Sequence, residues 1–146
     1  MGLVRVTVAL RASHAAKKKY QANFLVDTGA TDSLAPTSKL RAIGIKPAGK
    51  IAYELADGTI AELRFGTAII EFMGDITAGR IIFGPEDTEP LLGVTALEST
   101  GVEINPKNRS LKRLPAIPLK VLRRACAVPS IPAWHSAPLL VRCLNP

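Results

Sequence analysis

The sequence predicts an all-β domain whose short strands close into a barrel or pack as a sandwich, interrupted by one or two short helices. Three observations carry that prediction. Before residue 115 the apolar residues recur mostly with period two, the spacing that puts alternate side chains of a strand on one face. All eleven glycines precede residue 102 and punctuate these runs as turns do. Asp57-Gly58 stands between two alternating runs, a strong signal for a two-residue hairpin turn.

The elements follow in order. Leu3 to Leu10 alternates and reads as a first strand. Lys17-Lys18-Lys19, close to His14, reads as a solvated turn, and Tyr20 to Val26 as the second strand. Thr37 or Ser38 is placed to cap a short helix that ends at Gly44. Ile51–Leu55 and Thr59–Phe65 flank the Asp57-Gly58 turn. Further apolar strands are expected at Ala68–Met73, Arg80–Phe83 and Pro90–Gly93. Thr95 is placed to cap a helix through Thr100 that Gly101 terminates. Val102–Asn105 and Leu111–Leu114 are then two strands about a turn at Pro106–Arg109.

A chain of 146 residues accommodates one domain of this kind rather than two. Its 47% hydrophobic and 21% charged content excludes wholesale disorder. No apolar run is long enough for a membrane helix, and Met1 to Leu10 alternates across Arg5 and Thr7 where a signal peptide would be uniformly apolar. Gly2 lacks the Ser or Thr that myristoylation requires where Val6 stands. The expectation is a soluble, unexported, cytoplasmic protein without a membrane partner. The net charge of +7 on its own suggests an acidic partner such as nucleic acid. Position weakens that reading, because Lys120, Arg123, Arg124 and Arg142 lie with no acid in residues 115–146. Six of the eleven prolines also fall there, which sets a domain boundary near Leu114. Residues 1–114 are read as the folded domain and 115–146 as a Pro-rich basic tail, with room only for a short helix around Leu119–Ala127. The tail's single Trp134 gives it no aromatic spacing for stacking bases, so nucleic-acid binding ranks last. Cys126, His135 and Cys143 fit no zinc spacing, and two cysteines make no disulfide framework. No metal or organic cofactor is expected.

The segment Phe24-Leu25-Val26-Asp27-Thr28-Gly29-Ala30-Thr31 carries the chemistry. An apolar strand delivers a carboxylate into a tight turn, where burying the ion costs desolvation energy unless something uses it. Taken alone, Asp27 also fits an Asx turn in which its side chain satisfies nearby backbone donors.

Context favours the first reading. The run from Asp27 resembles the active-site signature of the retropepsin-like, or retroviral-type, aspartic peptidases, and the resemblance continues down the chain in order. Tyr53-Glu54-Leu55-Ala56-Asp57-Gly58-Thr59 sits where that family has its flap, the hairpin that roofs the cleft. Ile81-Ile82-Phe83-Gly84-Pro85 is similar to the strand and loop that wall the cleft. Leu91-Leu92-Gly93-Val94-Thr95-Ala96-Leu97 is similar to the apolar pair and Gly that lead into its short helix, and Gly101-Val102-Glu103-Ile104-Asn105 to its closing strand. The match spans residues 3–114 and is nearest in kind to cellular, single-domain members.

The resemblance implies a retropepsin-like closed β-barrel, the acid protease fold, and an aspartic endopeptidase with Asp27 as its catalytic residue. Such an enzyme needs two carboxylates. The acid in Asp87-Thr88-Glu89 lacks the following Gly and precedes its strand, so it is assigned to a surface loop. A homodimer is therefore implied, acting on an extended peptide or unfolded protein. Thr28 and Gly29 would support the active-site loop. Ala30, Ala56, Asp57, Gly58, Ile81, Ile82 and Phe83 would contact substrate. Asp57 also fits a plain turn residue, and Ile81, Ile82 and Phe83 equally fit the barrel interior. Tyr53 fits either the flap base or the barrel. Two positions depart from retroviral members, which commonly carry an acid and an Arg where Thr31 and Val94 stand, so that dimer brace is missing. The hairpin over 102–114 is the candidate for a substitute contact. The alternative is a retropepsin-fold module that dimerises or binds peptides without cutting them.

Overall fold

The computed structural model describes residues 3–105 and 107–117. Its strands are β1 (Arg5–Arg11), β2 (Tyr20–Asp27), β3 (Ser33–Pro36), β4 (Gly49–Glu54), β5 (Ile60–Phe72), β6 (Asp75–Gly84), β7 (Leu91–Gly93), β8 (Val102–Asn105) and β9 (Ser110–Arg113). Helix α1 (Thr37–Ala42) follows β3 and α2 (Val94–Thr100) follows β7. Seven strands form one sheet in the order β1-β2-β7-β3-β6-β5-β4, and an added β1–β5 pairing closes it into a ring with β4 outside. Closure gives the edges of β1 and β5 to each other, the barrel solution to unpaired strand edges. The remaining hairpin, β8–β9, forms a sheet of its own.

Period two in the sequence becomes the core. Val8 and Leu10 of β1 and Phe24 of β2 are fully buried, and with Ile70, Ile81 and Leu92 they fill the ring. Polar neighbours alternate outward, as Thr7, whose hydroxyl donates to Asn23 on β2 (2.9 Å). The expected strand breaks were less accurate. Apart from Thr59 and Met73 at their outer ends, the expected strands Thr59–Phe65 and Ala68–Met73 are one strand, the 13-residue β5. Gly66 between them is not a turn: a Cβ there would lie 2.7 Å from the Lys46 carbonyl, so the glycine admits a neighbouring backbone. Strand β6 begins at Asp75 rather than Arg80, because it pairs back onto β5 from Phe72↔Asp75 around the turn at Met73 and Gly74. Strand β3 was not foreseen; its four residues are held as a strand by β6 and β7 on either side.

Neither helix is capped as expected. Pro36 precedes α1, and the first-turn N–H of Ser38 donates to Glu86 Oε1 (2.9 Å), a carboxylate 48 residues away doing what the local hydroxyl was expected to do. Gly93 precedes α2, while the Thr95 hydroxyl donates to the Thr31 carbonyl instead of capping. Gly101 ends α2 in the left-handed conformation, as predicted. Asp87 is exposed between β6 and β7. Arg113 on β9 ties its hairpin to the β5–β6 turn, reaching Asp75 and the Met73 carbonyl, both at 2.6 Å. Among the described residues no helix is long and apolar enough to cross a membrane. The expected short helix at Leu119–Ala127, and Cys126, Trp134, His135 and Cys143, lie outside the described residues.

Candidate active site

Asp27 is the last residue of β2, and its position follows from what lies beside that strand. The apolar β2 pairs in parallel with β7 as Leu25↔Leu91, Val26↔Leu92 and Asp27↔Gly93, with Leu92 fully buried. Burial of these side chains anchors the strand end, so the half-buried carboxylate is presented from a fixed base. Just past it, the loop to β3 is stitched to the start of α2. Val94 N–H donates to the Ala30 carbonyl (2.8 Å), Thr95 N–H to the Thr31 carbonyl (3.2 Å), and Gly93 N–H to Ser33 Oγ (3.1 Å). Gly93 makes this approach feasible. A Cβ there would meet the Asp32 carbonyl carbon at 2.5 Å and its oxygen at 2.6 Å, both backbone atoms that cannot swing aside.

The loop also orients the acid. Gly29 N–H donates to Asp27 Oδ1 (2.9 Å), and Ala30 N–H to the Asp27 carbonyl (3.3 Å). A backbone donor to one carboxylate oxygen holds the group in one rotamer. The same bond is that of an Asx turn, so both sequence readings of Asp27 describe one geometry.

Above the loop runs a cleft of about 670 Å³. Asp27, Gly29 and Ala30 form its floor, Leu34, Ile82 and Leu91 one wall, and Tyr53 to Ala56 its roof. The roof is the β4–β5 hairpin, whose turn is closed by Gly58 N–H to the Leu55 carbonyl (2.9 Å) and Leu55 N–H to the Thr59 carbonyl (2.8 Å). Of the residues singled out in the sequence, the fold gathers Asp27, Gly29, Ala30, Ala56 and Ile82 around one space. Thr28 is exposed on the loop, and Asp57 and Gly58 are exposed at the hairpin tip, away from the cleft lining. Asp57 is engaged in its own turn: its Oδ1 accepts the Thr59 hydroxyl (2.6 Å) and N–H (2.9 Å), which hold its carboxyl below the usual range. Ile81 and Phe83 belong to the core, the second of the two places the sequence left open for them, because the pleat of β6 sends them to the face opposite Ile82.

One residue of the site was missed. Asp32 lines the cleft with its side chain only 8% exposed. The Tyr53 hydroxyl donates to its Oδ2 (2.6 Å), as does Arg80 Nη1 (3.2 Å). The Phe65 ring lies 4.7 Å from the Arg80 guanidinium carbon, within cation–π range. Burial and, after it, the bond to Asp32 push the Tyr53 phenol above the usual tyrosine range. The only sequence signal was the charge of Arg80 at the head of the apolar run Ile81–Phe83. Its partner, 48 positions away, is invisible without the β3–β6 pairing. Thr31 and Val94, where an acid and an Arg were missing, are joined to the helix and loop through their backbones.

No family model matches the sequence, and no curated protein matches it. Solved structures do match by shape. EIAV protease, in a complex with the inhibitor HBY-793, is 18% identical over 71% of this chain and 93% of its own, with a TM-score of 0.51. The fold is that of a retroviral aspartic protease. The retroviral protease-like domain of Ddi1 from Leishmania major (14% identical, 77% of this chain, 90% of that one, TM-score 0.47) is also similar. So is a retropepsin-like aspartic protease from Rickettsia conorii (20%, 72%, 94% and 0.40). In this retropepsin-like fold the ends of β2 and β7 stand side by side, and of the paired residues Asp27 and Gly93 only the first is an acid.

Proposed function

We propose that the protein is an aspartic endopeptidase that acts as a homodimer, with one Asp27 from each chain. The observation that carries this reading is the Asp27 carboxylate, oriented by the Gly29 N–H at the floor of a roofed cleft within a retropepsin-like fold. Hydrolysis through an activated water needs a base for the water proton and an acid for the carbonyl oxygen. In well-characterised aspartic proteases two carboxylates about 3 Å apart share one proton and so supply both. Asp32 is engaged by Tyr53 and Arg80, and Gly93 stands opposite Asp27, so one acid per chain at the catalytic position supports a twofold assembly in which Asp27 meets its own copy by symmetry. The β8–β9 hairpin, outside the closed sheet, is the proposed dimer contact. Thr28, exposed beside Asp27, is proposed to brace the two loops against each other. The apolar wall of Leu34, Ile82 and Leu91 supports a substrate with apolar side chains beside the cleaved bond, bound as an extended strand under the hairpin.

Asp27→Asn preserves the size of the side chain and its acceptor toward Gly29 but removes the base. It is expected to lower cleavage of an unstructured protein at least about 100-fold with an unchanged circular dichroism spectrum. Wild-type activity is expected to fall faster than linearly on dilution as dimers dissociate. Undiminished cleavage by Asp27→Asn would refute the assignment. A peptide-binding module without hydrolysis is the second reading, favoured by the plain turn bond between Asp27 and Gly29. It predicts saturable peptide binding by wild type and no cleaved product.

A further inference from the structure

The β4–β5 hairpin has a sharp boundary in its burial. Inward-facing residues alternate as far as the pair Tyr53↔Ala61, both half-buried. From Glu54 to Ile60 every residue is exposed, including the apolar Leu55 and Ile60. Tyr53, at that boundary, makes the bond to Asp32. Asp32 in turn follows Asp27 on the same short loop and is held by Arg80 of β6, and Arg80 lies over Phe65 of β5. The contacts form a circuit running from the loop floor through β6 and β5 to the roof and back through the Tyr53 hydroxyl.

We infer that the Tyr53–Asp32 bond is a latch at the base of the roofing hairpin, which confines its movement to residues 54–60 and fixes its height above Asp27. Three features support this role. The bond joins a phenol to a carboxylate at 2.6 Å in a largely shielded place, the type of hydrogen bond that resists exchange with water. Arg80 holds the carboxylate from the other side, so the acceptor is itself fixed. Beyond the latch the hairpin makes backbone hydrogen bonds only within itself among the described residues, so the latch is the last tie between it and the rest of the site. Tyr53 is thus a positioning residue: it touches neither Asp27 nor the reacting bond, and it sets the roof against which an extended substrate pairs. Its catalytic consequence rests on the endopeptidase reading, whereas the latch itself does not.

The test is Tyr53→Phe, which keeps the ring and removes the hydroxyl. Backbone hydrogen exchange over residues 51–63 is expected to lose about tenfold in protection, with β1 and β2 unchanged. For a cleaved peptide KM is expected to rise about tenfold while kcat changes less than twofold, a split that a general loss of fold would not give. Asp32→Ala, which removes the acceptor, should produce the same exchange pattern, and the double variant no more than the larger single one. Unchanged protection over 51–63 in Tyr53→Phe overturns the latch. So does additive loss in the double variant. A wild-type chain that cleaves nothing overturns the endopeptidase reading, and the exchange measurement then decides the latch by itself.

Discussion

Gly93→Ala tests whether the Asp27 loop is held by close backbone contact. The added methyl would sit 2.5 Å from the Asp32 carbonyl carbon and 2.8 Å from the Thr31 oxygen. Ordinary carbon contacts are about 3.5–4.0 Å, so the loop and β7 must separate by roughly 1 Å. Overpacking of this kind costs about 1–3 kcal/mol. The same separation stretches the bonds from Gly93, Val94 and Thr95 into the loop, each contributing about 0.5–1.5 kcal/mol. Against this, alanine restricts the unfolded chain and returns about 0.4–1 kcal/mol. The net loss is on the order of 3 kcal/mol, a large part of the 5–15 kcal/mol that holds a typical domain together. In a domain of this size it lowers Tm by about 10–20 °C. The control is Gly79→Ala on β6, where the new methyl meets only Ile70 Cδ1 at 3.6 Å and little change is expected. Differential scanning calorimetry on both variants decides the matter. A Gly93→Ala protein that melts with Gly79→Ala would show that contact at Gly93 does not hold the loop.

Other consequences follow from single contacts. Leu92→Ala, at a fully buried side chain beneath Asp27, is expected to cost about 2–5 kcal/mol in urea denaturation, and less than 1 kcal/mol would place Leu92 outside the core. The depressed Asp57 carboxyl means that the folded hairpin favours its ionised form, so its support for the turn is complete at neutral pH and fades as pH falls through the carboxylate range. Thr59→Val removes the hydroxyl and is expected to move the Asp57 titration, followed by NMR, up toward the ordinary aspartate value. An unmoved titration would assign the shift to another group.

The parts of this fold legible in the sequence are those written in local pattern. Val8, Leu10 and Phe24 announce their inward faces by alternation, Asp57-Gly58 its hairpin, and Gly101 the end of its helix. What escaped was set by distant neighbours. Strand β3 exists because β6 and β7 flank it, and α1 is capped by a glutamate just past the end of β6. Gly66 looked like a break because glycine serves both turns and close approaches, and only the Lys46 carbonyl distinguishes them. The site divides likewise. The acid and its loop glycine lie on one short run, whereas the Tyr53–Asp32–Arg80 circuit joins three segments. Ile81, Ile82 and Phe83 formed an unbroken apolar run, in which alternation gives no clue to which face meets the cleft.

The stitching of the Asp27 loop to the start of α2 has a consequence for timing. Ser33 and Gly93, which share one of those bonds, are 60 residues apart. A contact across such a span closes a long loop before it gains anything, and contacts of that kind slow folding. A nascent chain that has emerged only as far as the hairpin already carries Asp27 and the Gly29 N–H that turns its carboxylate, but not the strand and helix that clasp the loop. The place of that loop within the barrel is therefore settled only by residues that are made much later.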